Sequence, residues 1–169
     1  MRPALPLIAA LILAAGPAAA GPWRLHVDGD GANLTNGDSS GEDAATSLQC
    51  QGGEGKVTVY LFLDHRVADH LKGSDWVDKA GHPAPWKTPV LVVSGAVAGD
   101  FAGEVNADEM NGGSSVEVVI PAASPVMAAF AKTGAIRFSA YGEAVKDAPI
   151  PAAKAAGLMR VCRKGGGPR

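Results

Sequence analysis

The sequence predicts an α+β fold: a mostly antiparallel β-sheet, or a compact sandwich, with two helices from the C-terminal half packed on it. Apolar residues alternate with others over residues 56–63, 116–120 and 135–141, the period of a strand with one buried face. Ser124-Pro125 puts a capping residue before a proline at a first helical position, ahead of the stripe Val126, Met127 and Phe130. Two cysteines, Cys50 and Cys162, sit near the two ends of a chain long enough for one ordinary domain.

In chain order, residues 23–27 predict a first strand with Trp23, Leu25 and Val27 on one face. Residues 28–43, rich in Gly, Asp, Asn and Ser, predict a long surface loop. A weak strand follows over residues 44–50 and a strong one over residues 56–63, where Val57, Val59, Leu61 and Leu63 alternate with Thr58, Tyr60 and Phe62. Because that second face is partly aromatic, something is expected to cover it. Residues 64–72 predict a short helix with Val67 and Leu71 on one face, and residues 73–87 a loop. Residues 88–97 and 100–105 predict strands, with a turn at Asn111-Gly112-Gly113 before the strand that Pro121 ends. The capped helix stops at Gly134, a strand spans residues 135–141, and Pro151 opens a last helix. On that helix Ala155, Leu158 and Cys162 share a face, which would carry Cys162 to Cys50.

Residues 1–20 have the form of a secretory signal peptide: Arg2, an apolar stretch interrupted by Pro6, then Ala18-Ala19-Ala20. Its removal would leave one disulfide-linked globular domain over residues 21–162 and a flexible basic tail over residues 163–169. The expected destination is the bacterial periplasm or the medium, where a Cys50–Cys162 disulfide forms. Neither cysteine lies in a Cys-x-x-Cys or beside a histidine, so thiol redox chemistry and thiolate metal binding lack their usual spacing. A formal charge of −2 gives no reason to expect nucleic acid as a partner. No stretch after residue 20 is apolar for the roughly 20 residues that a transmembrane anchor needs.

No assembled catalytic set and no cofactor signature is legible. His65 and His70 would lie about 140° apart on a helix and on opposite faces of a strand, so neither geometry gives them one metal. His65 with Asp69, four residues apart, makes two ligands and not a site; these three are the weak metal candidates. Gly37-Asp38-Ser39-Ser40-Gly41 is similar to the segment around a serine-protease nucleophile, but the chymotrypsin-like fold places that segment late in a longer chain, after its His and Asp, whereas here it sits in an early Gly/Asp-rich loop. The strongest binding candidates are Trp76 and Trp86 with Pro83 and Pro85, large rings on a stiff loop that serve either recognition or packing.

Leu48-Gln49-Cys50, the strand Val57-Thr58-Val59-Tyr60, a helix ending at Gly134, and Gly157-Leu158-Met159-Arg160-Val161-Cys162 resemble the layout of small secreted two-cysteine bacterial envelope proteins. These are the accessory proteins of type VI secretion and the invasion-associated locus B proteins. The likeness spans residues 46–162 and implies a β-rich, non-enzymatic envelope protein whose partner is another envelope protein. The second N-terminal cysteine pair of some of those accessory proteins is missing here. The function predicted is therefore an exported binding or accessory module. The alternative is a metal-binding or hydrolytic periplasmic enzyme using His65, His70 and the nearby Asp64 and Asp69.

Overall fold

The structure, a computed structural model, describes residues 23–36, 46–52, 54–110, 112–145 and 149–163. The leader, the segment over residues 37–41 and the tail beyond residue 163 lie outside the described residues. Nine strands form one antiparallel sheet: β1 (Trp23–Asp28), β2 (Gly31–Asn36), β3 (Thr46–Cys50), β4 (Lys56–Leu63), β7 (Trp86–Ser94), β8 (Val97–Ala107), β9 (Ser114–Pro121), β10 (Arg137–Ala140) and β11 (Glu143–Ala144). Their order is β1-β2-β3-β4-β9-β8-β7-β10-β11. A separate ribbon, β5 (His70–Lys72) with β6 (Asp75–Val77), lies in the connection from β4 to β7. Among the described residues two helices, α1 (Pro125–Thr133) and α2 (Ala152–Arg163), complete the α+β fold.

The register aligns one inward row across seven strands, Leu25, Leu34, Leu48, Val59, Val118, Gly103 and the buried Thr88. Helix α2 covers this face over β1 to β4, and α1 covers it over β7 and β8. Phe130 and Met127 from α1, with Leu158 and Met159 from α2, are fully buried among the strand valines. Burying such side chains contributes roughly 1.5–3 kcal/mol each. The other face carries a polar row in the same register: Arg24, Thr35, Ser47, Tyr60, Glu117, Glu104 and Lys87. Lys87 donates to Glu104 across the β7–β8 pair. The cover expected over this face does not reach Phe62, which stands 43% exposed, and Val119 on the same face is equally exposed.

The structure corrects three sequence expectations. Residues 28–43 contain a strand, because β2 pairs with β1 through the two-residue turn Gly29-Asp30 and buries Ala32 and Leu34. Residues 64–72 form no helix. The Asp69 N–H donates to Val77 O at 2.8 Å, and Gly73-Ser74 turns β5 back onto β6. Backbone groups that a helix would have satisfied internally are satisfied there by pairing. Arg163 belongs to α2 and not to a tail; its Nε donates to Ala122 O at 3.2 Å.

Helix α1 begins and ends where the sequence places it. Ser124 occupies the capping position, but its hydroxyl makes no capping hydrogen bond; Pro125 removes one orphan N–H instead. Gly134 closes the helix at φ 71°, donating its N–H to Phe130 O at 2.8 Å. A side chain there would also meet Ile150 O at 2.1 Å, so this stop admits only glycine.

Cys162, fully buried on the inner face of α2, is bonded to Cys50 on β3 with the Cα atoms 5.5 Å apart. The bond joins residues 112 apart. Closing so long a loop restricts the unfolded chain and is worth up to about 4.7 kcal/mol in the chain-entropy treatment. Replacing both cysteines by alanine should lower the unfolding free energy by roughly 2–4 kcal/mol, with an unchanged far-UV spectrum at low temperature. Urea titrations of the two proteins measure it; a loss under about 0.5 kcal/mol would show that α2 docks without the bond.

Candidate functional site

The chain spends residues 64–85 crossing from β4 to β7 at the Leu63 end of β4, and this excursion meets the β8–β9 turn. Ala68 and Val77 are buried beneath it, which anchors the excursion to the core. Trp76 on β6 is half-buried. Its Nε1–H donates to Glu109 Oε1 at 2.7 Å, and the Arg66 guanidinium lies 5.6 Å from its ring centre. Arg66 is itself positioned by donating Nε–H to Ala68 O at 2.9 Å. The Trp76 ring is therefore held between a carboxylate and a cation, a cation–π contact worth about 0.5–1 kcal/mol at an exposed site. A small cavity of about 150 Å³ opens between Arg66, Trp76 and residues 107–109.

Two exposed apolar side chains flank Trp76. Leu71, 52% exposed, is its cross-strand partner, and Met110, 92% exposed, follows Glu109 in the β8–β9 turn. Asp108 shapes that turn: Met110 N–H donates to Asp108 Oδ1 at 3.1 Å and Gly112 N–H to Asp108 O at 2.9 Å. Arg66, Glu109 and Met110 carry no sequence signal for this site, and the spacing of Leu71 points only to an apolar helix face. Glu109 lies 33 residues from Trp76 and only the tertiary fold brings it there.

The other sequence candidates take different places. Trp86 opens β7 with 8% of its surface exposed, opposite Val105, and donates Nε1–H to His82 O at 3.0 Å; it fills the core. Pro83 pairs with Val77, and Pro85 follows a cis peptide from Ala84, whose N–H donates to Trp76 O at 3.0 Å. The prolines thus lie beside the backbone that carries Trp76.

His65 and His70 engage separate partners. The His65 ring stacks on Tyr141 with centroids 4.5 Å apart, and the His65 backbone N–H donates to Glu143 Oε2 at 3.2 Å. His70 Nδ1 lies 3.0 Å from Asp69 Oδ2, the carboxylate of the preceding residue. Among the described residues no group of three or more His, Cys, Asp or Glu side chains is placed to hold a metal ion.

The loop that supports Trp86 depends on Asp78. Its Oδ1 accepts from the N–H groups of His82 and Ala80, both at 2.9 Å, and its Oδ2 lies 3.2 Å from His82 Nδ1. The His82 N–H above all, aided by the His82 ring and the Ala80 N–H and opposed by partial burial, holds the carboxyl below its ordinary value of 3.8. A carboxyl depressed in the folded state contributes stability that is complete above 3.8 and is lost as the pH falls through the lowered folded value. Amide exchange at Ala80 and His82 should therefore accelerate at the acid end of that range and, in Asp78→Ala, be fast at neutral pH. Equal protection of His82 in Asp78→Ala and wild type would show that Asp78 does not order this loop.

No family model matches this chain, and neither a curated protein nor a solved structure matches it.

Proposed function

We propose that this protein is an exported, non-enzymatic bacterial envelope or secreted protein that acts as a binding module, and that its recognition end is the loop cluster around Trp76. One observation carries the reading: a half-buried tryptophan is clamped by Arg66 and Glu109 and flanked by the exposed side chains Leu71 and Met110. Tryptophan, arginine and methionine are enriched in protein interfaces, and a preset ring costs little conformational entropy on binding. The complementary partner is a protein surface with an apolar patch and polar rim, consistent with another envelope protein. The Cys50–Cys162 disulfide and the leader-like residues 1–20 support an oxidising destination.

Intact mass tests the export. Protein taken from the periplasm or medium of an exporting bacterium should lack residues 1–20 and two hydrogens; full-length, reduced protein overturns that part. A photo-crosslinking residue placed at Leu71 should capture one envelope protein, while the same residue at Phe62 on the open sheet face should not. With that partner purified, Trp76→Ala should weaken binding about tenfold or more while melting normally. Capture equally efficient from Phe62, or unchanged affinity in Trp76→Ala, sinks the assignment of this surface.

A further inference from the structure

We propose a second binding site, a polar cavity at the opposite end of the sheet from Trp76, that takes a small polyhydroxylated primary amine of the amino-sugar class. The cavity, of about 390 Å³, lies between the β1–β2 turn and the β3–β4 turn, at the Lys56 end of β4. Its volume falls in the usual range for small-ligand sites, about 300–1,000 Å³. The β-register builds its floor: His26 pairs with Asn33, Asn33 with Gln49, and Gln49 with Thr58. At strand spacings of about 4.8 Å, this is a polar row roughly 14 Å long.

Asp28 and Asp30 line the same cavity. Neither carboxylate has a hydrogen-bond or ion-pair partner among the described residues, whereas Glu54, also at the rim, is paired with Lys56 at 3.2 Å. Among the described residues no lysine or arginine lines the cavity. The position of Asp30 is built in, because its turn rests on Gly52. A Cβ at Gly52 would come within 2.5 Å of the Asp30 Cβ and 2.7 Å of its main-chain oxygen. Residues other than glycine would force the two turns apart.

The ligand class follows from this chemistry. Two unpaired carboxylates favour a cation. Among the described residues the acidic and imidazole groups form no set of three or more placed for a metal ion, and a cavity of about 390 Å³ has room for a cation carried on a larger molecule. Asn33, Gln49 and Thr58 both donate and accept, which suits hydroxyl groups and gives nothing to the methylenes of a plain polyamine.

The test is an amide-shift titration of the disulfide-bonded protein at about pH 6, where a primary amine is protonated, with glucosamine and with N-acetylglucosamine. Glucosamine should shift residues 26–33, 49–51 and Thr58. N-acetylglucosamine, which keeps the hydroxyls but not the charge, should bind at least about tenfold more weakly, as should glucosamine to the D28N/D30N double variant. These exposed isosteric changes should leave the core amide spectrum unchanged. No shifts with glucosamine, equal binding of the acetylated sugar, or unchanged affinity in the double variant overturns the proposal.

Discussion

Both candidate binding surfaces depend on one contact, the seat of α2 on β1 to β4. A helix of twelve residues is marginal alone, and this one is held by what it buries. Ala155, Leu158, Met159 and Cys162 form its inner face, and Cys162 is bonded to Cys50 at the end of β3. That end of β3 is also where the β3–β4 turn starts, with Gln51 and Gly52. The disulfide therefore fixes the sheet at the edge of the polar cavity, and through β4 it fixes the strand from which the Trp76 excursion departs. Gly157 lets the helix approach closely: a Cβ there would lie 2.6 Å from Leu25 Cδ2.

The two ends of the sheet then diverge in chemistry for a topological reason. At the Lys56 end the β1–β2 and β3–β4 connections are short turns, so the surface there is made of the strands' own outward side chains, which are polar. At the Leu63 end β4 and β7 are not neighbours, since β9 and β8 lie between them. The chain must travel three strand spacings, past β9 and β8, and the length of that crossing makes room for a ribbon of its own. A ribbon of three-residue strands is too small to be stable alone. It is kept by Ala68 and Val77 in the core and by the Trp76–Glu109 bond, which leaves Leu71 and Met110 outside.

Much of this fold was legible in the sequence, and the failures share a cause. The strands β4 and β9, helix α1 with its proline start and glycine stop, and the face of α2 that carries Cys162 all follow from periodicity. Strand β2 was hidden because Gly31, Asn33 and Asn36 are poor strand formers, and its pairing rests on its neighbours. The spacing of Val67 and Leu71 suggested a helix, but Gly73-Ser74 is a two-residue hairpin turn and outweighed it. Gly29-Asp30 is the same kind of signal, and it too lay inside a stretch dominated by loop residues. For the candidate site, Trp76 was visible as a large ring in a proline-rich segment. Trp86 looked equivalent, yet its position opposite Val105 makes it core. Burial at equal local sequence is decided by the sheet register, which neither residue's neighbours reveal.

An open sheet of nine strands leaves two edges, and each is a template for unwanted pairing. At one edge the problem is limited by length, because β11 has only two residues. The Tyr141-Gly142 turn that forms it places Tyr141 at φ 52°, a left-handed conformation a tyrosine seldom adopts. Stacking on His65 and the Glu143 contact to the His65 N–H tie this turn to the Trp76 excursion, so the same loop that presents the tryptophan also holds the short edge. At the other edge β1 is six residues long and must be protected otherwise. Its outward side chains Arg24, His26 and Asp28 are polar or charged, and Lys154 of α2 donates to Trp23 O. Asp28 and His26 of this edge strand are also two of the groups around the polar cavity. A cationic ligand there would neutralise Asp28 and so lower the charge that guards β1, which couples occupancy of that site to the tendency of the edge to pair.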